Sequence, residues 1–120
     1  MDAAYIRIGG KKIRAEVAKS FWQKARGLMF REGLAGDEGM LFVFSGRGVL
    51  RFWMMLMKFP IDIVFLDEKG SVIKIHHYAE PSMNPFRLYS SGKKAKYALE
   101  VRGGLCKKRG VKRGVRIRVV

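Results

Sequence analysis

Asp62 is the residue whose setting most invites a chemical reading. It stands in Pro60-Ile61-Asp62-Ile63-Val64-Phe65, an apolar run that reads as a strand. Alternation along that strand puts Asp62 on one face with Val64 and Leu66 and leaves Ile61, Ile63 and Phe65 on the other. A buried ionised carboxylate needs a cation or hydrogen-bond donors to offset its desolvation. Arg26, Arg31, Arg51 and Lys58 are the candidate cations, and backbone amides near Pro60 are the alternative donors. Beside an arginine in a pocket, Asp62 would act as acid, base or ligand anchor; held by amides it would be a structural acceptor. Trp53 poses a similar choice. With Phe52, Met54, Met55, Leu56 and Met57 it either lines a pocket for a flat or cationic ligand or packs into the core, because the run is apolar on both faces. Arg26, Trp53 and Asp62 are thus the candidate residues of a small-molecule or glycan pocket.

Other chemistries find less support. His76 and His77 are adjacent, so on a strand they point to opposite faces and cannot share one ion. Neither a Cys-x-x-Cys nor a His-x-x-x-His occurs, and no metal or other cofactor is implied. Cys106 is the single cysteine, with no base beside it in sequence, and reads as a packed thiol. No phosphate-binding glycine loop or dinucleotide fingerprint is present. Glu100 shares a strand face with Lys96 and Arg102 and is expected at the surface as a partner for cations.

Charge is segregated along the chain. Of 25 basic and 10 acidic side chains, residues 87–120 carry 12 basic ones and only Glu100. Such a block creates a field that attracts polyanions, with RNA and DNA the usual partners. Phosphate contacts are expected from Lys93, Lys94, Lys96, Arg102, Lys107, Lys108, Arg109, Lys112, Arg113, Arg116 and Arg118. Phe86, Tyr89 and Tyr97 stand near enough in sequence to stack on bases.

These residues must be positioned by the surrounding elements. Tyr5–Ile8 and Ile13–Val17 alternate in polarity about Gly9-Gly10 and predict a hairpin. Phe21, Ala25 and Leu28, spaced i, i+4, i+7, predict an amphipathic helix from Ala18 to about Met29. Buried strands are expected over Met40–Phe44, Leu50–Met57 and Ile61–Leu66. The last of these forms a hairpin with Val72–Tyr78 across Asp67-Glu68-Lys69-Gly70. Pro81, Asn84, Pro85 and Ser90-Ser91-Gly92 mark an exposed loop. Lys96–Arg102 returns to strand with Tyr97, Leu99 and Val101 on one face, Gly104–Arg109 makes one helical turn, and Val115–Val119 closes as a strand. The sum is a single α+β domain over residues 1–120, mostly β, with seven or eight short strands curled into a compact, partly closed barrel and one principal helix. No apolar run approaches the ~18 residues that span a bilayer, and the N-terminus lacks the layout of a signal peptide, so the expected location is the cytoplasm.

The spaced blocks Arg26-Gly27-Leu28-Met29-Phe30-Arg31, Gly39-Met40-Leu41-Phe42-Val43-Phe44, Phe52-Trp53-Met54 and Pro60-Ile61-Asp62-Ile63-Val64-Phe65 resemble the bacterial and archaeal family called domain of unknown function 192. The resemblance implies a fold and no particular activity. Similar proteins carry a polar Asn near the place of Leu56, some show Lys near Met55, and they end in Gly-Ile-x-x-Gly-Asp where this chain has Gly110-Val111-Lys112-Arg113-Gly114-Val115. Three functional readings follow: a non-enzymatic module binding a polyanion through its basic third, a small-molecule or glycan module with a pocket at Arg26, Trp53 and Asp62, and an enzyme using Asp62 with an arginine.

Overall fold

Gly9 and Gly10, both at positive φ, turn the chain back on itself, and β1 (Ala3–Ile8) pairs antiparallel with β2 (Lys11–Ala18) as expected. The computed structural model describes residues 2–119. A crossover then carries the chain through α1 (Phe21–Arg26) to β3 (Glu38–Val43), which lies parallel to β2. β4 (Val49–Phe52), β5 (Ile61–Leu66), β6 (Val72–Ala79), β7 (Tyr89–Lys94), β8 (Tyr97–Arg102), α2 (Leu105–Lys108) and β9 (Arg118–Val119) follow. Seven strands form one sheet in the order β6-β5-β8-β3-β2-β1-β9, and β4 pairs with β7 as a separate ribbon.

The large sheet curls until its two edges meet. Val72 donates its amide to the Val115 carbonyl at 2.8 Å, Gly114 donates to the Val72 carbonyl, and Ile117 donates to the Gly70 carbonyl. The start of β6 is thereby joined to the chain leading into β9. Closure of this kind leaves few unpaired strand edges. The fold is α+β and mostly β, the barrel-like sheet that the alternation predicts.

Curling separates two apolar cores. The barrel interior holds Ile6, Ile8, Ile13, Val64, Leu66, Leu99 and Val101, closed at one end by Leu105 and Cys106 of α2. The outer face of β3, β5 and β8 carries Met40, Phe42, Ile61, Ile63, Phe65 and Ala98, covered by the β4–β7 ribbon and the segments around Leu28 and Met54. This outer layer explains why all six residues of β5 are buried: both faces of the strand meet apolar neighbours.

Four local expectations are corrected. The helix covers six residues rather than the whole span from Ala18, which belongs to β2, and none of its residues is buried. Ser20 and Gln23 form a reciprocal capping box at its start, and Gly27 at φ +50 ends it. The expected strand over Leu50–Met57 stops at Phe52, because the chain turns through Met54–Met57 with Leu56 at φ +62. Within the predicted loop, Tyr89–Lys94 forms β7, since β4 supplies it with a ladder partner that local sequence does not reveal. The final strand shrinks to Arg118–Val119, preceded by a bridge between Ser71 and Arg116.

Candidate functional site

Asp62 faces the barrel interior, as its alternation with Val64 and Leu66 requires, and is fully buried. Its Oδ1 accepts the amides of Tyr78 (2.8 Å) and Gly104 (3.0 Å), and its Oδ2 accepts the amide of Cys106 (2.9 Å). These donors come from a bulge in β6 and from the loop and first turn of α2. One carboxylate thus joins the end of a strand to the cap of the barrel. Tyr78 sits at φ +51, a conformation costly to a residue with a Cβ, with its amide held by the carboxylate. Of the two partners open to Asp62, a cation or backbone amides, the carboxylate has the amides. Among the described residues Arg31 pairs with Glu16 and Lys58 with Glu32, while Arg26 and Arg51 lie on the outer layer. Strand alternation is the reason: Asp62 points inward, and the neighbours Ile61 and Ile63 point toward the arginines' side. Cys106, beside it, has its thiol pushed upward by burial and then by the charge of Asp62 and a hydrogen bond to it, so it is a poor nucleophile.

The outer layer holds a cavity of about 520 Å3. α1 and the following turn form one wall with Phe21, Arg26 and Leu28; β4 and the turn after it form another with Arg51, Phe52, Trp53 and Met57. Phe42 and Phe44 line it from β3 and its end, and Glu100 from β8. Phe42, Phe44 and Phe52 are grouped by edge-on or tilted ring contacts at 5.0 and 6.1 Å. Gly27 allows the close approach of the Phe42 ring, which a Cβ would meet at 3.3 Å. Lys24 donates to the Val43 carbonyl at 3.1 Å and places its ammonium 4.4 Å from the centre of the Phe44 ring. Trp53 is 45% exposed and Phe21 73% exposed, so both stand at the rim and not in the core.

Glu100 overturns the expectation of a surface residue. Only 5% of it is exposed. It does share a strand face with Lys96 and Arg102, but the outer layer covers the middle of that face and leaves the ends open. Across the sheet it opposes Met40 on β3 and Ile63 on β5, both apolar. Burial without a compensating partner pushes its carboxyl up to about 8, so at neutral pH it is largely protonated and can donate as well as accept a hydrogen bond. The pocket reading of the sequence thus joins Arg26 to Trp53 but exchanges Asp62 for Glu100. A lone acid flanked by Ala98, Leu99 and Val101 in a strand was the available signal.

The basic third divides along β8. Lys93 and Lys94 end β7, and Lys96 stands at the start of β8, where its amide bonds the Leu66 carbonyl. Arg102 lies at the other end of that six-residue strand, roughly 20 Å away at 3.3 Å per residue. Arg102, Lys108 and Arg109 line a second cleft of about 520 Å3 with Lys11, Asp37 and Gly104. Lys107, Lys112 and Arg113 are exposed nearby in sequence. Arg116 and Arg118 border a third hollow with Glu68 and Lys69, and the Arg116 Nε donates to the Lys69 carbonyl. Of the aromatics, Phe86 is exposed, whereas Tyr89 packs on His76 and Tyr97 against the barrel core. His76 bonds the Ser90 carbonyl at 2.7 Å, a structural role, and among the described residues no group of three His, Cys, Asp or Glu is placed to hold a metal ion.

The sequence pattern of the DUF192 family, described as "Uncharacterized ACR", matches residues 4–119. The chain belongs to the DUF192 family. No curated protein matches it. Among solved structures, a protein of unknown function from Novosphingobium aromaticivorans DSM 12444 is similar, with 29% identity and a TM-score of 0.87 over 97% of this chain and 83% of that one. A Sinorhizobium meliloti 1021 protein described as a "putative transcription regulator" is similar at 30% identity and a TM-score of 0.85, over 98% of this chain and 91% of that one. The sequence blocks meet at the outer layer: Arg26–Met29, Phe52 and Trp53 wall the cavity, and β3 and β5, which hold Gly39–Val43 and Ile61–Phe65, lie beneath that layer with their other face to the barrel. Leu56 occupies a left-handed backbone position, φ +62, which Asn tolerates better than Leu. Among the described residues of this DUF192 chain, no helix is long and apolar enough to cross a membrane.

Proposed function

We propose that this DUF192 domain is a non-enzymatic binding module whose outer-layer cavity takes one small, largely apolar molecule. The observation that carries the reading is the cavity: about 520 Å3, walled by phenylalanine, methionine and Trp53, with one desolvated carboxyl at Glu100 and arginines at Arg26 and Arg51. Its volume falls within the range of small-molecule sites, which are mostly apolar with a few placed polar groups. A glycan fits this lining poorly, since each buried hydroxyl left without a partner costs about 1–3 kcal/mol. The many edge heteroatoms of a nucleobase meet the same difficulty. The reading is tested by titrating the protein with anilinonaphthalene sulfonate. Saturable fluorescence is expected from the native protein and should be lost in Met57→Trp, which fills the cavity. Fluorescence that is absent, or unchanged by the substitution, overturns it.

A second reading, binding of RNA or DNA through the basic third, is supported by the convergence of Lys11, Arg102, Lys108 and Arg109 on one cleft and by the description of the Sinorhizobium relative. Affinity for a mixed-sequence oligonucleotide should then fall steeply with salt and weaken when Arg102, Lys108 and Arg109 are changed to Gln. Absence of binding at low salt would rule it out. The division of the cations between the two ends of β8 limits how many reach one stretch of backbone. The cavity reading is therefore preferred.

A further inference from the structure

We infer that the ligand of the outer-layer cavity is an anionic amphiphile, a hydrocarbon body with one acidic head group, lying with its head at Arg26 and Arg51. The inference rests on the cavity reading and adds to it the chemistry and direction of the ligand.

The mouth is cationic. Arg26 and Arg51 are both exposed, both line the cavity, and neither forms an ion pair among the described residues. Guanidinium groups in this state suit a carboxylate or phosphate, which they can take in a bidentate manner. Lys24 adds a third positive charge to the wall. A cationic amphiphile would be repelled there, and a neutral one would leave the arginines unused.

The rim is apolar and exposed. Phe21 from α1, Trp53 from the turn after β4 and Leu88 line the cavity while partly or largely exposed, and Trp22 packs edge-on against Phe21 at 5.2 Å while 79% exposed. α1 buries no residue, so these aromatic groups gain little from the fold itself. A hydrocarbon body lying between the walls would bury them, at roughly 25 cal/mol for each Å2 removed from water.

The inner wall can meet the body of the ligand without repelling its charge. Glu100 faces Met40 and Ile63 across the sheet and phenylalanine rings in the cavity; the charged groups sharing the cavity are Lys24, Arg26 and Arg51. Kept protonated by burial at neutral pH, its carboxyl presents no negative charge to the ligand. Rising pH ionises it near 8 and sets an anion against an anion, which predicts weaker binding in alkali.

Isothermal titration with laurate, dodecanol and dodecylammonium, each below its micelle-forming concentration, tests the inference. Laurate should bind tenfold or more tightly than dodecanol, and dodecylammonium most weakly. Arg26→Gln with Arg51→Gln should abolish the preference for laurate over dodecanol. Glu100→Gln should remove the loss of laurate affinity between pH 7 and 9. Lysophosphatidylglycerol in place of laurate distinguishes a lipid headgroup from a free acid as source of the anion, and binding of either supports the class. Equal affinity for laurate and dodecanol, or indifference of laurate to the arginine changes, overturns the anionic head while the apolar cavity stands. Failure of all these amphiphiles to bind overturns both.

Discussion

Asp62 and Glu100 lie on neighbouring strands of one sheet, offset by a single position, since Asp62 is paired with Val101 and Ile63 with Glu100. Both are carboxyl groups within apolar strands, and both are buried. The offset places them on opposite faces. Asp62 enters the barrel interior, where Tyr78, Gly104 and Cys106 turn amides toward it. Glu100 enters the outer layer, where burial alone governs its titration. A carboxyl surrounded by amides serves as a structural tie, whereas one surrounded by phenyl rings is kept protonated and left open to a cavity. Burial by itself therefore says little about function; what donates to the buried group decides it.

The largest test of this contrast is Asp62→Ala. It leaves one buried amide, that of Cys106, and two part-buried ones, those of Tyr78 and Gly104, without their acceptor, at up to about 1–3 kcal/mol each, and should destabilise the fold by roughly 2–5 kcal/mol in urea denaturation. A loss under 1 kcal/mol would break the contrast. Glu100→Gln should have the opposite sign. The folded carboxyl titrates near 8 and the unfolded one near 4.5, so the folded state binds the proton more tightly. This group's contribution is then most favourable below the unfolded value and declines as pH rises toward 8, by a few kcal/mol in all, roughly 1.4 kcal/mol per unit. Gln does not titrate, so denaturation at pH 5, 7 and 9 should show the variant gaining on the native protein as pH rises. Equal curves would place Glu100 in water.

Smaller effects sharpen the comparison within the outer layer. Leu56→Asn should stabilise by about 1 kcal/mol, because Asn accepts the left-handed backbone at φ +62 more readily. A shift in Tm of a few degrees upward is the expected reading. Phe21→Ala should change stability least, by under ~0.5 kcal/mol, since the ring is 73% exposed, yet should weaken amphiphile binding in titration calorimetry. A large loss of stability would show that α1 is held by packing after all.

Much of the fold is legible because it rests on local signals: glycines at Gly9-Gly10, the turn at Asp67–Gly70 and strict alternation in Tyr97–Val101. β7 is illegible in Tyr89–Lys94, whose strand character comes from pairing with β4, forty residues back. α1 misleads in the other direction. Its apolar spacing promises a buried face, and the aromatic residues at Phe21 and Trp22 instead border a cavity.

The order of residues alone establishes family, strand alternation and the segregation of charge, because each depends on neighbours within a few positions or on composition. It also puts Asp62 and Glu100 on definite faces of their strands. Which face meets amides, which meets a cavity and which meets water follows only from the curl of the sheet and the layer laid over it. Those bring α2 to Asp62 and set Glu100 in the wall of a cavity that Phe42, Phe52 and Arg26 also line. Hydrogen bonding and desolvation act through space over a few ångströms, and sequence separation carries no record of that distance.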